Sequence, residues 1–200
     1  MAIIVEHEKR RAEILERALD VFIDDGFADT TFQKIADRCG LTRTSLYRYF
    51  HNKTEIFNFS IKYLLDGIEH EIRRIRGSGE GSAGKLSAIL CGTLRWLEEN
   101  RRILAVVMQY LMLIARGGRD PGPRLRRRTI RLRHFFASTV IEGIRSGEFA
   151  AVNVHDADDM LFSILEAAAF KLVVLRQDSV DELKRGALIA VNGLKNTAPA

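Results

Sequence analysis

Proline is scarce in this chain of 200 residues: there are three, and two of them, Pro121 and Pro123, lie close together. Proline fixes φ and removes a backbone donor, so its scarcity leaves long stretches free to be helical. Cysteine is scarcer still. Cys39 and Cys91 are far apart and form no CxxC pair, which argues against a disulfide framework and for a reducing interior. No apolar run reaches the ~18 residues that a membrane span needs. The opening MAIIVEHEKRR also lacks the apolar core of a signal peptide. Two-residue alternation of apolar and polar side chains is missing, so no sheet is expected. The five histidines are scattered, and no HExxH, phosphate-cradling loop or nucleophile–base pair occurs. These absences point to a soluble, cytoplasmic, all-α chain that is not an enzyme and needs no cofactor or metal.

What is present is ordinary in amount and uneven in placement. Hydrophobic residues make up 46% and charged residues 28%, the balance of a folded globular chain. The formal charge of +5 and a sequence pI near 9.4 suit a polyanionic partner.

Apolar periodicity predicts about nine helices. From Glu8 to Asp25 the stripe is Ile14, Leu15, Ala18, Leu19 and Phe22, with Gly26 ending the helix. Thr31 caps a short second helix carrying Phe32, Ile35 and Ala36, and Gly40 breaks it. Thr42 caps a third, Arg43 to Phe50, with Leu46 and Phe50 inward. Asn52 caps a fourth running to Arg76 through Ile56, Phe59, Tyr63, Leu64 and Ile68. Gly77 to Ser82 is the clearest linker. Further helices are expected over Ala83–Leu97, Asn100–Ala115, Arg124–Arg145, His155–Arg176 and Val180–Leu194, with a turn at Gly117–Pro123.

Three short helices with a glycine turn between the second and third make a helix-turn-helix. In that arrangement the third helix enters the DNA major groove. Burying Leu46 and Phe50 turns Arg43, Thr44, Ser45, Tyr47 and Arg48 outward. Arginine can donate forked hydrogen bonds to guanine or phosphate, and hydroxyls can reach bases or phosphate oxygens. Lys53, with the free amides at the start of the fourth helix, offers a second phosphate site. Between Gln33 and Lys53 the cations Lys34, Arg38, Arg43, Arg48 and Lys53 face a single acid, Asp37. The preceding helix is instead rich in acids: Glu6, Glu8, Glu13, Glu16, Asp20, Asp24 and Asp25.

The first sixty residues closely resemble the DNA-binding region of the TetR family of repressors. The likeness rests on Ile14, Leu15, Ala18, Phe22, Gly26, Phe27, Thr31, Ile35, Ala36 and the run G-L-T-x3-L-Y-x-Y-F-x-N-K-x-E, which spans Gly40 to Glu55. The resemblance implies Thr31 and Tyr47 on phosphates, Gln33, Arg43, Thr44, Ser45 and Arg48 nearest the bases, and Lys53 at a further phosphate. The DNA-binding set is therefore Thr31, Gln33, Thr42, Arg43, Thr44, Ser45, Tyr47, Arg48, Tyr49 and Lys53; Phe32 is not assigned to DNA. The resemblance further implies two domains. Residues 1–53 would bind double-stranded DNA, and residues 54–200 would bind a small effector and dimerise. Together they make a ligand-responsive repressor of a palindromic operator, released by an unidentified small molecule.

The later helices carry wide apolar stripes: Met160, Leu161, Ile164, Leu165, Ala168 and Leu172, then Leu183, Ala187, Leu188, Val191 and Leu194. Two such helices from each subunit could form a two-fold four-helix bundle and so a homodimer. Candidate effector contacts are Trp96, Met108, Tyr110, Met112, His134, Phe135, Phe162, Glu166 and Phe170. Glu166, inside LFSILEAAAFKLVV, could meet a cationic effector or pair with Lys171 or an arginine across an interface. The arginines at 116, 119, 124, 126, 127, 128, 131 and 133 read as a solvated face. His155 and Asp159 have metal-ligand spacing but sit where a helix N-terminus favours acids.

Overall fold

The computed structural model describes residues 2–196, apart from the side chains at 2–5, 64, 67, 71, 124, 125 and 128. Nine helices lie among them: α1 (Ala2–Asp29), α2 (Phe32–Arg38), α3 (Arg43–Tyr47), α4 (Lys53–Arg76), α5 (Ser82–Glu99), α6 (Arg101–Arg116), α7 (Gly122–Arg145), α8 (Val154–Val173) and α9 (Asp181–Gly193). The all-α expectation holds; the extended pairing among the described residues is an isolated bridge between Phe149 and Lys195. No helix among the described residues is long and apolar enough to cross a membrane.

One boundary matches the sequence reading and one differs, both for local reasons. Gly26 ends the long helical run as expected, at the non-helical φ 76° and ψ 167°, and the range of α1 extends past it across a kink. The chain then resumes a last turn to Asp29, held by the Thr30 hydroxyl donating to the Gly26 carbonyl at 2.7 Å. α3 stops at Tyr47 rather than Phe50. Arg48 N–H bonds back to Ser45 O and Tyr49 N–H to Leu46 O, a tightening to three-residue spacing that swings Phe50 into the core.

The chain forms two compact units, Met1–Gly67 with Ala105–Pro121, and Ile68–Leu104 with Gly122–Ala200. The Gly77–Ser82 linker therefore lies within the second unit, between the end of α4 and α5. α4 and α6 each run from one unit into the other.

In the first unit α1 packs on α2 and α2 on α3, with Ile14, Ala18, Phe22, Ile35, Ala36, Leu46 and Phe50 all buried. An aromatic cluster of Phe22, Phe27, Phe57 and Tyr110 closes its far side, with ring centroids 4.5–5.9 Å apart. Such pairs contribute about 0.5–1.5 kcal/mol each beyond burial.

In the second unit α5 packs on α7, α8 and α9 around Leu86, Leu90, Leu94, Phe136, Val140, Leu161 and Leu165. Gly143 of α7 is there because nothing larger fits: a Cβ would stand 2.1 Å from the ring of the buried Phe149. The N-terminus of α5 is capped from a distance. Its N-cap is Gly81, and the Glu148 carboxylate accepts from Ser82 N–H at 2.6 Å and Ala83 N–H at 3.0 Å. A carboxylate at that end also answers the helix dipole.

Candidate nucleic-acid interface

The reading helix is held by caps and by one turn. Thr31 Oγ accepts from Lys34 N–H at 3.2 Å to start α2, and Thr42 Oγ accepts from Ser45 N–H at 3.1 Å to start α3. Between them Gly40 adopts φ +65°, a left-handed conformation costly for a residue with a Cβ. Leu41 N–H closes the turn on Ala36 O at 2.9 Å. Asn52 Oδ1 accepts from Glu55 N–H, and Glu55 reaches back to His51 N–H, fixing where α4 begins.

The outward side of α3 carries Arg43, Thr44 and Arg48, all exposed. Tyr47 is 45% exposed and lies on the buried Phe32 ring, centroids 4.5 Å apart and planes 30° apart. Arg43 donates to the Tyr47 hydroxyl at 3.3 Å. Phe32, left unassigned from the sequence, is thus the platform that orients Tyr47. Thr31 is exposed, and its hydroxyl proton is not needed for its cap. Gln33 is exposed and donates to Asp37 at 2.7 Å. Ser45 and Thr42 are tied to each other at 2.9 Å, and Tyr49 is half-buried, stacked on His7.

Lys53 is engaged within the protein itself. Its ammonium donates to the carbonyls of Phe27, Ala28 and Thr30 at 2.9, 2.8 and 2.7 Å. An ammonium has three protons, and all three are committed, so Lys53 clamps the α1–α2 corner to the start of α4. Burial pushes its pKa below the ordinary lysine range, and Asp29 partly opposes that.

The charge pattern also resolves in space. Lys34 pairs with Asp25 at 2.9 Å and Arg38 with Asp24 at 3.1 Å, so the acids at the end of α1 neutralise the cations of α2. Among the described residues no ion pair engages Arg43 or Arg48, which leaves positive charge on the reading helix.

The candidate effector residues are spread over α5, α6, α7 and α8. Tyr110 belongs to the aromatic core of the first unit, and Met112 on α6 is exposed. Met108 and Trp96 are half-buried on α6 and α5. Glu166 and Phe170 lie on the outer side of α8, so the glutamate is a solvated carboxylate and no buried charge needs a partner. Phe162 is buried under the Arg133 guanidinium, 4.7 Å from its ring centre. His134 and Phe135 lie on one wall of a groove in the second unit.

The arginine run is less uniform than a solvated face. Arg116, Arg119, Arg126 and Arg127 are exposed, whereas Arg131 binds Glu69 and Arg133 binds Asp158 and Asp159. The side chains of Arg124 and Arg128 lie outside the described residues. His155 Nδ1 also lies 3.1 Å from Asp159, so the two residues with metal-ligand spacing contact each other, and Asp159 is engaged by Arg133 as well. Burial pushes the Asp158 carboxyl above the usual carboxylate range, with Arg133 opposing. Burial likewise pushes both thiols, Cys39 and Cys91, up, away from nucleophilic thiolate.

The apolar stripes of α8 and α9 are sorted by the fold. Leu161, Leu165, Ala168, Leu172, Ala187, Val191 and Leu194 fill the unit's own core. Met160, Phe170, Val174, Leu175, Leu188 and Ile189 remain outside, with Phe170 51% and Ile189 73% exposed. Met160, Ser163, Ala167, Phe170 and Val174 follow the alternating three- and four-residue spacing of a helix-packing seam.

Comparison with known proteins gives the same reading. The family profile described as bacterial regulatory proteins, tetR family, matches residues 14–58. YfiR of Bacillus subtilis (strain 168), an uncharacterised HTH-type transcriptional regulator, is 29% identical over 150 residues, covering 74% of this chain and 72% of YfiR. The HTH-type transcriptional repressor KstR2 of Rhodococcus jostii (strain RHA1) is 29% identical over 97 residues, 48% of each chain, so the chain spans about half of that relative. Among solved structures, a TetR transcription regulator from Haloarcula marismortui superposes with a TM-score of 0.83 at 20% identity, covering 94% of this chain and 100% of that one. The last likeness establishes the fold. With the matched reading unit and these relatives, the chain is a DNA-binding transcription regulator rather than an enzyme, and its residues 14–58 carry the DNA-binding unit of the tetR family of bacterial regulatory proteins.

Proposed function

We propose that the protein is a cytoplasmic, ligand-responsive transcriptional repressor that binds a palindromic operator as a homodimer and releases it when a small molecule binds. The observation that carries this reading is the unpaired cationic face of α3, Arg43 and Arg48 around Thr44, on a helix fixed by the Gly40 turn. In this reading Arg43, Thr44 and Arg48 meet base edges, with Gln33 beside them, and Thr31 and Tyr47 hold phosphates. Thr42, Ser45 and Tyr49 set the pose of the helix at the DNA surface. Residues 1–53 read the DNA, and residues 54–200 dimerise and take the effector.

The exposed seam of α8 and α9 supports the dimer. Six large apolar side chains of α8, its C-terminal end and α9 are left outside the core, as residues of an interaction surface are, and two copies related by a two-fold axis would bury them symmetrically. A dimer presents two α3 helices to half-sites about 34–36 Å apart, or a multiple of that. An effector that favours another separation lowers DNA affinity by its differential affinity for the two states. α4, which passes from the reading unit into the other, is the lever.

Titration of the purified protein against duplexes from the DNA upstream of its own and neighbouring genes tests this. Binding to one inverted repeat, weakening steeply with salt, is expected. Equal affinity for every duplex would contradict it.

A further inference from the structure

On α7, Arg126, Arg127, Ile130, Arg131 and His134 share one exposed face at helical spacing. Ile130 is 56% exposed, an apolar side chain set among cations. Beside it runs an open groove of about 470 Å³, walled by Glu69 and Arg73 of α4 and by Ile130, Arg131, His134 and Phe135 of α7. That volume falls within the ~300–1,000 Å³ of small-molecule sites.

The groove's chemistry is lopsided. Its one carboxylate, Glu69, is already engaged, with Arg131 Nη1 donating to both of its oxygens at 3.2 and 2.9 Å. Arg73 is exposed, and no ion pair engages it among the described residues. A cation entering here meets two guanidiniums, and a neutral molecule leaves Arg73 unanswered. An anion with an apolar body answers both: a carboxylate or phosphate takes two arginines in fork geometry, and the body covers Ile130 and Phe135.

We infer that the groove between α4 and α7 binds a small organic anion, a carboxylate or phosphate ester on a compact apolar body. Arg73 and Arg131 hold the charged end, and Ile130 and Phe135 hold the body. The inference rests on the reading of this chain as effector-responsive and names the chemical class of the effector. It also supplies a coupling. An anion on Arg131 competes with Glu69 and so loosens the tie between α7 and the C-terminal part of α4 that lies in this unit.

Four probes sharing one aromatic body test it on the full-length protein by fluorescence titration: naphthylacetate, naphthyl phosphate, naphthylethanol and naphthylmethylammonium. At least one of the two anions binds about tenfold or more tighter than the alcohol, the ammonium does not bind, and the better anion identifies the head group. Arg73→Glu abolishes the preference, while Arg127→Glu, an equal charge change outside the groove, leaves it intact. Equal binding of anion and alcohol, or equal losses in the two variants, overturns the inference. So does a groove variant that weakens DNA binding while no probe binds, because the occupant would then be nucleic acid. Operator release is read separately. A probe that binds by these criteria without lowering operator affinity leaves the site standing and refutes ligand-responsive repression.

Discussion

Lys53 shows what a single residue's surroundings decide. In the sequence it is a cation in a basic stretch, and the family likeness places it on a phosphate. In the fold its three protons go to the carbonyls of Phe27, Ala28 and Thr30. Those acceptors are more than twenty positions away in the chain, which is why no local pattern could reveal them. Lys53→Met should cost about 1–3 kcal/mol of stability by chemical denaturation, since it orphans several acceptors. The salt dependence of DNA binding should keep its slope, because a lost phosphate contact would lower it by about 0.9. A lower slope with unchanged stability would return Lys53 to the phosphate. Gly143 is a second case, legible only in three dimensions. With Phe149 2.1 Å from where a Cβ would stand, Gly143→Ala forces the packed ring to move. We expect a loss of about 1–3 kcal/mol despite alanine's better helix propensity, measured as a drop in denaturation midpoint.

At the scale of elements, the caps were the most legible part of the chain. Thr31, Thr42 and Asn52 each accept the backbone proton that their position implied, because capping depends on residues within one turn. Gly40 was legible for the same local reason, and Gly40→Val should weaken DNA binding and stability together, by about 1–2 kcal/mol in the folding equilibrium. The end of α3 was less so, since a tightened last turn is settled by what the core will accept. Packing of α9 on α5 was not legible at all. It brings Lys184 against Glu98 at 2.6 Å, with Asp181 also bonded to the lysine at 2.9 Å. The hydrogen bond from Lys184 holds the Glu98 carboxyl below its usual range. A carboxylate whose folded pKa is depressed lends stability that is complete above its unfolded pKa and is lost as pH falls through the folded value. The difference in melting temperature between the protein and Glu98→Gln should therefore be largest near about pH 7 and shrink towards about pH 3. A difference independent of pH would mean that packing, not charge, joins α5 and α9.

For the molecule as a whole, helix order and the reading unit followed from periodicity and from a dense motif. A small-molecule site did not. Of the nine side chains picked for it, His134 and Phe135 share a groove, while Tyr110 is core and Phe170 is surface. Apolar residues that line a cavity, fill a core or face a partner have the same spacing along a helix, so periodicity cannot separate them. The same ambiguity covered α8 and α9, where two stripes merged in the sequence and the fold divides them into a core side and an exposed seam. If that seam joins two copies, Phe170→Asp with Ile189→Asp should convert a particle of twice the 22.6 kDa chain mass into one of that mass in light scattering. Helicity should be unchanged, because both side chains lie outside the core. The central claim is that α3 reads DNA in two copies, and selection of bound duplexes from a random pool tests it most directly. Enrichment of an inverted repeat, whose base preference relaxes with Arg43→Ala while Tyr47→Phe weakens all sequences alike, is the predicted result. A pool that stays random, or a single direct site unaffected by Arg43→Ala, would contradict it.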